Sequence, residues 1–187
     1  MSVPMSTYLV AYAVSNLEYR TSTLRPNNVT FRTWARPEAL HQVDFASNIG
    51  PRLLDYYEEY FDIKYPLPKQ DMVAVPDFAA GAMENWGLIT YRETTLLYDP
   101  ELSTPSNKLQ VAAVVAHELA HQWFGNLVTM HWWTDLWLNE GFATYMSAVA
   151  LDHLFPEWRS LDEETANNLV GVLEFDSLQK SHPVSNQ

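Results

Sequence analysis

The chain has no cysteine, so no disulfide staples it and its sequence is silent about redox compartment. Basic residues are scarce: 11 Lys and Arg stand against 23 Asp and Glu, a formal net charge of −12. That balance argues against nucleic acid or an anionic membrane as partner and favours cationic ligands, a free amino terminus among them. No apolar run approaches the length of a membrane span. No leader is evident either, because Met1 to Ser6 runs straight into the alternating stretch Tyr8 to Val14. The far end stops abruptly at His182-Pro-Val-Ser-Asn-Gln187, and the expectation is a piece of a longer protein. Internal repeats and low-complexity tracts are also lacking. What remains, 187 residues with 47% hydrophobic and 13% aromatic content, suffices for a packed core of one or two domains.

The informative stretch is His117-Glu118-Leu119-Ala120-His121, which closes an apolar run beginning at Leu109. Histidines four apart lie one above the other on a helix, so both rings can reach one ion. Glu118 then sits where a carboxylate touches a water bound to that ion, the zinc-protease pattern with glutamate as general base. The pentapeptide alone is short enough to arise by chance, and two histidines are one ligand short of a catalytic zinc. The metzincin continuation needs glycine and histidine where this chain has Phe124 and Leu127, so that class is excluded. A carboxylate from the next helix is left, and Glu140 lies between Trp137, Leu138 and Phe142, where burial without a cation is costly.

In chain order, residues 7–15 and 28–34 read as two strands joined by a polar connection through Arg25-Pro26-Asn27-Asn28. Asn28-Val29-Thr30 matches the N-glycosylation sequon. Residues 38–61 read as helix, kinked or split at Gly50-Pro51, and 71–76 as a buried strand. Gly81-Ala82-Met83-Glu84-Asn85 reads in isolation as a bulge with a solvated glutamate, before a strand at 88–92. Thr104-Pro105 starts a helix that runs to Trp123-Phe124, with Gly125 as its C′ residue. A second helix spans about 135–154 with Leu138, Phe142, Tyr145 and Val149 as its buried stripe, and a more polar one covers 158–178. Trp123, Trp132, Trp133 and Trp137 are expected to form core around the site. Asp135 and Thr144 are candidates to hydrogen-bond a metal ligand. His41, His131, His153 and His182 carry no supporting pattern.

With these pieces in place, the chain resembles the M1 family of zinc aminopeptidases, a gluzincin group. The likeness rests on Gly81-Ala-Met-Glu-Asn85 and on His117-Glu-Leu-Ala-His121 followed by Glu140, with Trp86 to Arg92, Trp123 to Met130 and Asp135 to Phe142 matching around them. The resemblance implies an α+β fold: residues 1–35 as the last strands of a preceding β domain, and 36–187 as the first part of a thermolysin-like catalytic domain. It implies one Zn2+ per chain, held by His117, His121 and Glu140, with Glu118 as base. It further implies that Glu84 holds the substrate α-ammonium, while Gly81, Ala82, Met83 and Asn85 line the substrate. The substrates implied are peptides with a free amino terminus, with broad or neutral specificity and Ala80 as a small pocket neighbour.

An extracellular, membrane-attached enzyme follows from the same likeness, any anchor lying outside this chain. The family's oxyanion-stabilising tyrosine is expected beyond Gln187, and Tyr145 is too near Glu140 to be it. A second amine-binding residue and the enclosing helical domain are expected elsewhere too, so the chain alone should be weakly active or inactive. The competing readings are a gluzincin endopeptidase and a catalytically silent surface receptor or scaffold.

Overall fold

In the computed structural model, which describes residues 3–24, 28–181 and 183–184 apart from the side chain of Asn167, five strands make one mixed sheet. They are β1 (Glu18–Thr21), β2 (Thr30–Ala35), β3 (Lys69–Val75), β4 (Ala82–Met83) and β5 (Leu88–Arg92), ordered β1-β2-β3-β5-β4. The inner pairs β2–β3 and β3–β5 are parallel, and the outer pairs β1–β2 and β4–β5 are antiparallel. Parallel neighbours need a crossover. For β2 and β3 it is a 3-10 stretch, Pro37–Val43, leading into helix α1 (Asp44–Phe61). β3 is buried from Gln70 through Ala74, as a strand covered on both faces should be. Within it, Asp71 accepts from the Arg32 guanidinium at 2.6 and 3.0 Å and from the Trp34 indole at 2.9 Å, with Lys69 Nζ 2.7 Å away. The β2–β3 register sets Arg32 directly opposite Asp71.

After β5 come the short helix α2 (Glu93–Leu96) and then α3 (Pro105–Ala120). Thr104 caps α3 as expected: its hydroxyl accepts from Asn107 N at 3.2 Å, while Asn107 Oδ1 accepts from Thr104 N at 2.9 Å. Helix α4 (Trp137–Leu154) packs on α3, and α5 (Ser160–Glu164), a π-turn (Thr165–Leu169) and α6 (Val170–Asp176) complete the polar helix. The Tyr57 hydroxyl, fully buried on α1, lies 3.0 Å from the carbonyl of Ala116 and 3.2 Å from that of Met146, so one side chain ties α1 to both α3 and α4.

Several expectations are corrected. Residues 7–15 form no strand: Thr7–Leu9 is a 3-10 turn, Val10 to Ser15 is exposed, and pairing begins at Glu18. The alternation there reflects Leu9 inserted into the core rather than a half-buried ribbon. Arg25 to Asn27 of the connection, and His182, fall outside the described residues. The helix change comes at Val43, and α1 runs through Pro51. Gly50 lets α1 lie close on the sheet, because a Cβ there would meet the Phe31 ring at 2.7 Å. α3 ends at Ala120, and Gly125, at φ +120°, belongs to the turn beyond it. On α4 the inward residues are Asn139, Ala143, Met146 and Ala150, one position from the expected stripe, and Phe142 and Tyr145 are exposed. Only Trp123 of the four tryptophans is core; Trp132, Trp133 and Trp137 are exposed.

Candidate metal and substrate site

The last turn of α3 and the residue that caps it present His117 and His121 on one face, with the Nε2 atoms 2.9 Å apart. α4 brings Glu140 alongside, its Oε2 3.3 Å from His117 Nε2 and 3.6 Å from His121 Nε2. The turn after α3 folds back through Asn126 N to His121 O and Gly125 N to Val128 O, which carries the Phe124 carbonyl to 2.9 Å from His121 Nδ1. A carbonyl only accepts, so Nδ1 carries a proton and neutral His121 has its lone pair on Nε2. Thr144 Oγ1 lies 3.4 Å from His117 Nδ1, as expected for it. The Asp135 carboxylate meets the Thr134 hydroxyl at 3.4 Å, and the group orienting His121 is the Phe124 carbonyl, which no side-chain pattern encodes.

Segment 81–85 runs beside this turn. Asn126 Nδ2 donates to the Glu84 carbonyl at 2.9 Å and Gln122 Nε2 at 3.4 Å, while the Gly81 carbonyl accepts from Thr95 Oγ1 at 2.7 Å and Arg92 N at 2.9 Å. Glu84 is therefore buried, which overturns the solvated-bulge reading of the segment taken alone. Its carboxylate joins Glu118 and His121 in a set of ligand atoms all within 4.8 Å of one another, and His117, His121 and Glu140 form a second such set. Ala82 and Met83 form β4, the edge of the sheet.

This crowding of charge sets the proton affinities. Burial pushes the Glu118 carboxyl up to about 8; His121 opposes the rise, and Glu84 and Glu140 add to it. Burial works against a charged His121, yet its hydrogen bond to Glu140 and the surrounding carboxylates Glu84, Glu118 and Glu140 raise it to about 9. Hydrogen bonds from His117 and His121 hold Glu140 well below the usual carboxylate range. Two imidazole nitrogens 2.9 Å apart cannot both present a lone pair without a cation or proton between them. Two such nitrogens, one carboxylate oxygen and a half-exposed mouth at Glu140 make a donor set that fits zinc with a position left open.

Of the other histidines, His41 Nε2 lies 3.6 Å from Asp99 and the His153 ring stacks on Tyr56, each away from the site. Two residues near the site had no signal in the sequence. The Tyr8 hydroxyl accepts from Asn139 Nδ2 at 3.3 Å, and the Leu9 carbonyl accepts from Asn85 Nδ2 at 3.3 Å.

An HExxH helix, a carboxylate from the following helix and a mixed sheet beside them define a gluzincin-like peptidase arrangement. The comparisons agree: the Peptidase family M1 domain matches residues 45–187, and the chain belongs to that family. It is 55% identical over 186 residues to endoplasmic reticulum aminopeptidase 2 of Bos taurus, covering 100% of this chain and 19% of that protein. Glutamyl aminopeptidase of Sus scrofa is 54% identical over 183 residues, 98% of this chain and 19% of its own length. Aminopeptidase M1 of Arabidopsis thaliana is 55% identical over 184 residues, 96% of this chain and 20% of its own. The chain thus spans about a fifth of the curated relatives it matches.

Proposed function

We propose that this chain carries the metal and amino-terminus recognition centre of a zinc aminopeptidase, which removes single residues from peptides with a free amino terminus. The observation that carries the reading is Glu84, an acidic side chain buried within 4.8 Å of Glu118 and His121. In this reading His117, His121 and Glu140 hold the zinc, which supplies a Lewis acid for the peptide carbonyl and acidifies a water. Glu118 takes the proton of the attacking water and returns it to the leaving amine, a task suited to a carboxylate whose burial raises its basicity. Glu84 pairs with the substrate ammonium and so fixes the distance from the amino terminus to the bond broken. An extended peptide adds to the β4 edge along Gly81, Ala82 and Met83, with Asn85 holding the segment in place.

A neutral first residue, with Ala80 as a small neighbour, belongs to the same proposal, as does location on the extracellular face of a membrane. Among the described residues no helix is long and apolar enough to cross one. The division into the end of a β domain, residues 1–35, and the first part of a thermolysin-like catalytic domain, residues 36–187, is also proposed. β1 and β2 then share their sheet with the second part. The chain spans about a fifth of its relatives, and weak activity of this part alone belongs to the same proposal, since loss of one oxyanion donor costs on the order of a hundredfold or more.

The test uses a chimera in which these residues replace the matching segment of a full-length relative such as the bovine protein. It should release amino acids from free peptides and not from acetylated ones, and Glu84→Ala should lower kcat/KM roughly a hundredfold or more. An endopeptidase would cut both peptides and lose little on that substitution, which would refute the exopeptidase reading.

A further inference from the structure

The turn at Thr7–Leu9 sits where the two halves of the site meet. Leu9 is buried in the core, while the chain from Val10 to Ser15 is exposed, so residues 8 and 9 are the part of this segment that is held. From adjacent positions they reach two elements far away in sequence. The Leu9 carbonyl accepts from Asn85, the residue after Glu84, and the Tyr8 hydroxyl accepts from Asn139, the residue before Glu140. The Tyr8 ring also packs edge-on against Trp133, 5.1 Å between centroids, just ahead of α4. Asn139 is 1% exposed, and its amide lies against the Gly125 turn, where a Cβ would come within 3.1 Å of Nδ2 and 3.4 Å of His121 Nδ1. Tyr8 therefore bonds Asn139, and Asn139 in turn lies beside the Gly125 turn and His121.

We propose that Tyr8 is a positioning residue for the metal site, its hydroxyl fixing Asn139 and so the placement of Glu140 relative to His117 and His121, while Leu9 holds the Glu84 segment at a set distance from α4. The inference rests on the proposed ligand set. Burial, with Glu84 nearby, pushes the Tyr8 phenol up to about 12, so the hydroxyl keeps its proton at neutral pH.

Cobalt(II) reports the geometry directly, because its visible absorption depends on which ligands surround it. The full 187-residue chain is titrated with Co2+ as wild type, Tyr8→Phe, Asn139→Ala, the double variant, Glu140→Ala, and Tyr12→Phe as a control from the exposed part of the same segment. Phenylalanine keeps the ring on Trp133 and removes only the hydroxyl. Tyr8→Phe should weaken Co2+ binding roughly 10- to 100-fold and alter the absorption band, the usual cost of losing a group that orients a ligand. Asn139→Ala should do the same, the double variant should add little, and Tyr12→Phe should match wild type. Wild-type affinity and spectrum in Tyr8→Phe, with Glu140→Ala still impaired, would overturn the positioning role alone. A wild-type chain whose Co2+ binding ignores Glu140→Ala would overturn the ligand set and this inference with it.

Discussion

Gly125→Ala tests the link between backbone conformation and the metal site. Gly125 holds φ +120°, a region L side chains rarely adopt, and its amide donates to the Val128 carbonyl at 2.8 Å. Strain of that kind costs about 1–3 kcal/mol. The added Cβ would also stand 3.1 Å from Asn139 Nδ2, which must give by a few tenths of an ångström, and 3.4 Å from His121 Nδ1, an ordinary contact. Crowding of this degree adds about 1 kcal/mol. The sum, about 2–4 kcal/mol, should lower the melting temperature by roughly 5–15 °C for a chain of this size. The group displaced is the neighbour of Glu140, so zinc affinity should fall as well, by about tenfold or more. Thermal melting followed by circular dichroism, with and without excess zinc, separates the two losses: zinc should restore less stability to Gly125→Ala than to wild type. A variant that melts within a degree of wild type and gains the same from zinc would refute both the strain and the coupling.

Two further outcomes are expected. In the chimera, Glu118→Gln should cut turnover by about 10²–10⁴ while metal analysis still finds one zinc per chain, and near-wild-type kcat would remove Glu118 as base. Asp71 gives a pH signature of the fold. Burial alone would raise its carboxyl, but hydrogen bonds from Arg32, Lys69 and Trp34 outweigh this and hold it below the usual range. A depressed folded-state value contributes stability that is present above the unfolded value of about 4 and is lost as pH falls through the folded one. Urea unfolding from pH 7 to pH 2 should therefore show Asp71→Asn less stable at neutral pH and less sensitive to acid than wild type, and parallel curves would contradict the linkage.

The sequence was most legible where one local pattern implies one chemistry. His117 and His121 follow from helical spacing, Thr104 from capping, and β5 from alternation, because each depends only on residues within a turn or two. Glu140 could be singled out as a lone carboxylate expected to be buried among Trp137, Leu138 and Phe142, but Trp137, Phe142 and Glu140 itself are exposed, so the residue that meets both histidines came from a premise that the fold does not bear out. Contacts between distant segments were not legible. Nothing near Tyr8 announces Asn139, 131 residues on, and nothing near Leu9 announces Asn85. The Phe124 carbonyl that orients His121 belongs to the backbone, which carries the same acceptor at every position. Glu84 read as solvated in isolation because the groups that bury its segment, Gln122 and Asn126, come from the turn after α3.

The shifted face of α4 shows why hydrophobic period failed there. A helix advances about 100° per residue, so a stripe displaced by one position turns the whole element by that angle. Had Leu138, Phe142, Tyr145 and Val149 faced inward, Glu140 would have swung away from the histidines it now meets at 3.3 and 3.6 Å. The observed inward face instead uses Asn139, Ala143, Met146 and Ala150. Asn139 meets Tyr8, and the Met146 carbonyl meets the Tyr57 hydroxyl, so polar contacts at two points along the helix select this rotation against the larger apolar residues. The rotation that best buries Phe142 and Tyr145 and the rotation that brings a third donor to His117 and His121 are different, and α4 adopts the second.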